Sequence, residues 1–170
     1  MTQRSDLEVW MQGPIEGVPP LLQPVAHALL QACKEVEVYL DNFNAGLLWE
    51  KPAASACVAF HLQHMCGVID RMFTYARNMP LNEKQFQALA EEGKRDENIT
   101  PAQLIQAFRQ QVDQAIEQLK ETRQTQLTQI RYIGRKRIPT TLIGLLFHAA
   151  EHTQRHLGQL LVTVRVLKQK

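Results

Sequence analysis

The sequence is short of several things, and each shortage closes off a class of protein. Its three cysteines, Cys33, Cys57 and Cys66, are few and odd in number, which gives no disulfide framework. A reducing cytoplasm is therefore the expected location. No apolar run reaches the ~18 residues that a bilayer-spanning helix needs, so no membrane association is expected. The first eight residues, Met1 to Glu8, contain no hydrophobic signal core, and secretion by that route is not expected either. Neither sign of charge is in excess: 19 Lys and Arg against 17 Asp and Glu leave a net +2. No long basic stripe interleaved with aromatics runs through the chain, which argues against a nucleic-acid partner. Strand signals are also scarce, because β-branched residues are scattered and no hairpin dipeptide stands between alternating segments.

What remains is ordinary in bulk and unusual in detail. A chain of 170 residues, 45% hydrophobic and 21% charged, has the size and balance of one globular domain with one core. Helical periodicity is strong, and proline cuts it into four long pieces. The first follows Pro19-Pro20 and runs to about Asn42, with Leu22, Val25, Leu29, Cys33, Val36 and Leu40 at helical spacing and Pro24 in its first turn. Ser55 is the expected N-cap of a second helix reaching about Asn78. A polar stretch from Asn78 to Asn98 follows, with room for a short helix around Glu83–Glu92. Thr100-Pro101-Ala-Gln103 is a capping-box pattern that opens a third helix to about Leu127. The connector Ile130 to Pro139 leads to a fourth helix from about Thr141 to Leu167. Four long helices predict an all-α four-helix bundle with long connectors, a fold whose core commonly carries metal sites.

Five of the six histidines fall in two of these helices. The fourth contains His148-Ala-Ala-Glu-His152-Thr-Gln-Arg-His156-Leu-Gly-Gln159. At roughly 100° per residue these three histidines share one stripe, and an i, i+4 pair such as His152 and His156 is the usual way for one helix to supply two metal ligands. Gln159 projects between the two, and Gly158 predicts a close neighbour, either another helix or a ligand, since glycine costs roughly 1 kcal/mol in a helix interior. A third ligand must come from elsewhere. The second helix offers His61 and His64, about 60° apart, whereas Cys66 lies nearly opposite His64. The three cysteines read as core residues, and His27, alone in the first helix, as structural.

Other metal chemistries fit less well. His148-Ala-Ala-Glu151-His152 matches the H-x-x-E-H peptidase motif, but residues 152–170 contain no acid to complete it. A di-iron carboxylate bundle needs Glu-x-x-His on two helices, and neither histidine-bearing helix has one. Haem is better served by ligands that are not a single turn apart on one helix.

The segments Ser55–Arg71 and Ile138–Gln159 resemble those of the DinB/YfiT-like family of metalloenzymes, and the likeness extends over nearly the whole chain. The resemblance implies that residues 1–170 form one DinB-like four-helix-bundle domain. It also implies nickel or zinc held by His64, His152 and His156, with open coordination positions of the catalytic kind. His61, His148 and Gln159 would then stand near the metal or the substrate. Some members resemble thiol S-transferases that use bacillithiol or mycothiol, one of them a maleylpyruvate isomerase. The implied function is a metal-dependent transferase joining a low-molecular-weight thiol to small electrophiles, as a homodimer. A metal-dependent hydrolase and a non-catalytic, metal-stabilised stress protein are the alternatives. The basic connector Arg131, Arg135, Lys136 and Arg137 is a place where an anionic thiol could be held.

Overall fold

A computed structural model describes residues 7–169. Among them are five helices: α1 (Gln23–Tyr39), α2 (Val58–Ala76), α3 (Glu83–Glu91), α4 (Pro101–Glu121) and α5 (Leu142–Leu167). Two short strands, β1 (Ile130–Ile133) and β2 (Ile138–Thr141), and several single 3-10 turns make up the rest of the regular structure. The chain is thus mostly helical, but the expectation of four helices and no strand needs amending. The short helix allowed for around Glu83–Glu92 forms as α3, a fifth helix beside the four long ones, and the connector before α5 is a hairpin.

The four long helices close a ring. Helix α2 packs on α5 and α4, and α1 packs on the same two. Each turns an apolar stripe inward: Val25, Leu29, Ala32 and Val36 from α1, Leu62, Met65 and Ile69 from α2, Phe108, Val112 and Leu119 from α4, and Leu145, Ala149, Leu157 and Leu160 from α5. Burying each Leu, Ile, Val, Met or Phe side chain contributes roughly 1.5–3 kcal/mol, which offsets the ordering of the backbone beneath it.

Local chemistry sets where the helices start. Thr100 accepts from the Gln103 amide while Gln103 accepts from the Thr100 amide, and Pro101 occupies the first turn, so the capping box expected for α4 forms. Thr141 caps α5 by accepting from the Gly144 amide at 3.1 Å. Helix α2 begins two residues later than its expected cap. Cys57, fully buried, takes the N-cap with Sγ facing the Phe60 amide at 3.4 Å, while Ser55 donates to the Pro52 carbonyl at 2.6 Å. At the other ends, α1 stops at Tyr39 before the left-handed Asn42, and α4 stops at Glu121 where Thr122 turns extended.

The hairpin was not expected because its turn carries no standard dipeptide. Strands β1 and β2 pair antiparallel, Ile130 opposite Thr141 and Ile133 opposite Ile138. The chain reverses through Gly134 and Arg137, both at positive φ (63° and 50°). Pro139 is tolerated because a two-stranded ribbon has a free edge on each strand.

Helix α3 lies against α2 and is fastened by polar contacts. Asn82 and Gln85 form its capping box, and buried Gln85 also donates to Asp70 (2.9 Å) and Thr74 (2.8 Å) of α2. At its far end the chain turns through Gly93, at φ 76°, whose amide donates to Gln63. A side chain at Gly93 would start 3.0 Å from the Phe60 ring. This fastening fixes the position of Glu92.

Candidate metal centre

His64 on α2 and His152 and His156 on α5 converge where the two helices face each other. One ring nitrogen from each lies within 4.8 Å of the others. His64 Nε2 and His152 Nε2 are 3.0 Å apart. The rings of His64 and His156 have centroids 4.4 Å apart, and those of His152 and His156 4.7 Å. All three side chains are half-buried, so the cluster sits at the edge of the core within reach of solvent.

His61, one turn before His64, is buried and stands outside this group. Its Nδ1 lies 3.2 Å from His156 Nδ1, a hydrogen bond between two imidazoles. His148 is exposed at the opposite end of the stripe, with Nδ1 2.9 Å from Glu151 Oε1. His148, Glu151 and His152 form a second, more exposed group of the same type. His27 is elsewhere, with Nε2 3.1 Å from the Gly13 carbonyl oxygen. The cysteines are free and away from the cluster: Cys66 Sγ faces the Ala107 carbonyl on α4, as its position on the helical wheel requires.

Two residues that the sequence does not single out hold His64. Glu92, just past α3, places Oε2 2.6 Å from His64 Nδ1, and its Oε1 accepts from Arg71 Nη1 at 2.7 Å. The Glu92 and Arg71 side chains are only 8% and 9% exposed, which makes this an interior ion pair. Phe60 stacks on the His64 ring at 5.2 Å with the planes 12° apart. Gly67 makes room, since a Cβ there would lie 2.5 Å from both Arg71 Nη1 and Glu92 Oε1. A glycine inside a helix one turn from a candidate ligand is the sequence signal that could have pointed to this pair.

The electrostatics favour neutral imidazoles. Burial, then the neighbouring His64 ring, pulls His61 down to about 4. His156 is likewise pulled to about 4 by burial, His64 and His152, and His152 is lowered by burial and His64. Burial alone would raise Glu92, but hydrogen bonds from His64 and Arg71 outweigh it and hold the carboxyl below its ordinary value.

The donor set fits a divalent metal. Two metal–nitrogen bonds of about 2.0–2.1 Å at a tetrahedral angle place the nitrogens roughly 3.3 Å apart, close to the 3.0 Å between His64 Nε2 and His152 Nε2. His152 Nδ1, the ring nitrogen turned away from His64, is buried without a hydrogen-bond partner, a state that costs about 1–3 kcal/mol.

Beside the cluster runs a groove of about 620 Å³ between α5 and the segment before α2. His61 forms part of its wall, together with Pro52, Ala56, Gly158, Val162 and Val166. Gln159 and Arg155 stand at its exposed side. No other helix meets Gly158: a Cβ there would touch nothing within 4 Å, and the residue lines this open groove, where a ligand would be its neighbour. The basic hairpin lines a different cavity of about 510 Å³ with Tyr75 and Phe86, and no histidine lines it. There Arg137 lies over Tyr132 at 4.2 Å and Arg135 over Phe86 at 5.7 Å.

No curated protein matches the chain. The family model of the DinB superfamily does, over residues 28–160, a span that runs from α1 through most of α5 and takes in all five clustered histidines. The chain therefore belongs to the DinB superfamily.

Proposed function

We propose that the protein is a metal-dependent enzyme that transfers a low-molecular-weight thiol to small electrophiles, with nickel or zinc held by His64, His152 and His156. The observation that carries this reading is the convergence of three half-buried imidazoles from two helices, with a groove of substrate size alongside. A divalent ion bound there supplies Lewis acidity, which favours the thiolate of a thiol at neutral pH.

The chain's own residues provide the rest. Depressed basicity keeps His61, His152 and His156 neutral at pH 7, with lone pairs available for coordination or proton transfer. With His156 Nε2 on the metal, His156 Nδ1–H donates to His61 Nδ1, which leaves His61 Nε2–H as a donor beside the groove while the proton of the incoming thiol passes to solvent. The apolar wall of Ala56, Val162 and Val166 holds the body of the electrophile and limits water around it. Sulfur then bonds to the electrophilic carbon as the leaving group departs with its electron pair, or as a π bond of the acceptor moves its electrons away. Gln159, exposed at the groove, is placed to hydrogen-bond the ligand.

The free state of all three cysteines supports a reducing, cytoplasmic setting, and exposed Ile130, Ile138 and Phe147 offer apolar surface for a homodimer. The test begins with metal analysis of untagged protein and of His64→Ala, His152→Ala and His156→Ala. Stoichiometric nickel or zinc in the wild type and its loss in the variants is the expected result; full retention in all three variants overturns the site. Turnover of a model electrophile is then measured with bacillithiol, mycothiol, glutathione and no thiol. Thiol-dependent product supports the transferase. Product without thiol replaces it with a hydrolase, and no product leaves a metal that only stabilises the fold.

A further inference from the structure

Glu92 sits 28 residues from His64 in sequence, in a stretch with no apolar periodicity, yet it makes the shortest polar contact in the cluster. A carboxylate has no proton to give, so in this contact His64 Nδ1 must be the donor. That assigns the tautomer: the proton is on Nδ1 and the lone pair is on Nε2. Nε2 is the nitrogen that faces His152 Nε2 at 3.0 Å, inside the cluster.

Three further features keep Glu92 in place. Arg71 occupies its other oxygen at 2.7 Å, so both oxygens are engaged in different directions and the carboxylate cannot rotate freely. Gly67 leaves the space that the pair fills. Gly93 turns left-handed immediately after Glu92 and ties its amide to Gln63, which fixes the backbone on α2. The face of His64 is covered by Phe60. The ring is therefore located by a carboxylate at one edge and an aromatic on one face, before any ion is bound.

We propose that Glu92 is a positioning residue for the metal centre: it fixes the tautomer and orientation of His64, and Arg71 fixes Glu92 in turn. Helix α3, which supplies no ligand, thereby acts as the arm that brings an outer carboxylate to the site. The inference rests on the metal reading above for its consequence, but its premise, the His64 tautomer, can be read without metal. Outer carboxylates of this kind typically change metal affinity by 10–100-fold.

The experiment has two readouts on the full chain. The first is zinc affinity, by competition with a chromogenic chelator, for wild type, Glu92→Gln and Arg71→Met. Glu92→Gln, nearly isosteric, is expected to bind zinc 10–100-fold more weakly. Arg71→Met is expected to lie between it and the wild type. The second is the nitrogen-15 spectrum of histidine in the metal-free protein. His64 is expected as the Nδ1–H tautomer in the wild type and to lose that preference in Glu92→Gln. A carboxylate that served only to stabilise the fold would lower the melting temperature and move neither readout. Equal zinc affinity of wild type and Glu92→Gln, or an Nε2–H tautomer in the wild type, overturns the proposal. Failure of the wild type to bind either zinc or nickel instead overturns the metal reading, and the tautomer measurement still decides whether Glu92 orients His64.

Discussion

Gly67 and Gly158 are both glycines in the interior of long helices, and their surroundings give them opposite roles. Nothing lies within 4 Å of the Cβ that alanine would add at Gly158, so Gly158→Ala gains helix propensity without a clash. The expected outcome is about 1 kcal/mol of added stability, seen as a rise of about 2–4 °C in the melting temperature. At Gly67 the same methyl would sit 2.5 Å from Arg71 Nη1 and Glu92 Oε1. These atoms belong to a buried ion pair, whose displacement outweighs the gained helix propensity, so stability should fall by more than about 1 kcal/mol. Zinc affinity should fall, because the displaced carboxylate leaves His64. Calorimetric melting and a zinc titration of the two variants separate these effects. A melting temperature lowered by Gly158→Ala would show that the groove side of α5 is more crowded than the structure has it.

Helix α4 contributes apolar contacts and no histidine, so its stability and the metal site can be tested apart. Thr100→Ala removes the side-chain half of the capping box and should cost about 1 kcal/mol in a urea melt. Zinc affinity measured without denaturant should be unchanged. Elements with local signals of this kind were legible in the sequence: the Thr100–Gln103 box, the Thr141 start of α5, the polar patch that became α3. The His152–His156 pair was legible too, because both residues sit on one helix. The start of α2 was misplaced since Cys57 caps through sulfur, which is outside the usual set of capping side chains. The hairpin was hidden because Gly134 and Arg137 make its turn without a familiar dipeptide. Glu92 left only an indirect signal, the helix-interior Gly67 that makes room for it. Its contact with His64 is made only when α3 docks on α2, and no periodicity in a polar stretch records that event.

For the whole molecule, protons would compete with a bound metal for the nitrogens of the cluster. In the metal-free protein, His61 and His156 are pulled from the ordinary 6.5 to about 4, so the unfolded chain takes up protons more readily than the folded one. Their contribution to stability is fully present above about 6.5 and is lost progressively as pH falls towards about 4. Chelator-treated protein should therefore melt at a lower temperature at pH 5 than at pH 7.5, with the dependence from these two groups flattening below about 4. A melting temperature independent of pH across this window would show that the two rings are not buried neutral. Zinc-loaded protein should hold its stability to lower pH and then lose it together with the metal.

His64 and His152 are 88 residues apart in the chain although their Nε2 atoms are 3.0 Å apart in the fold. During synthesis, α2 leaves the ribosome long before α5 has been made. A chain at that stage has His61 and His64 but neither of the nitrogens that α5 supplies. A three-nitrogen ion site consequently cannot template the early steps of folding; it can only capture a bundle in which α5 has already docked. An ion seated there would arrive late in the protein's biogenesis and would act as a latch between α2 and α5, whose facing histidines lie 88 residues apart.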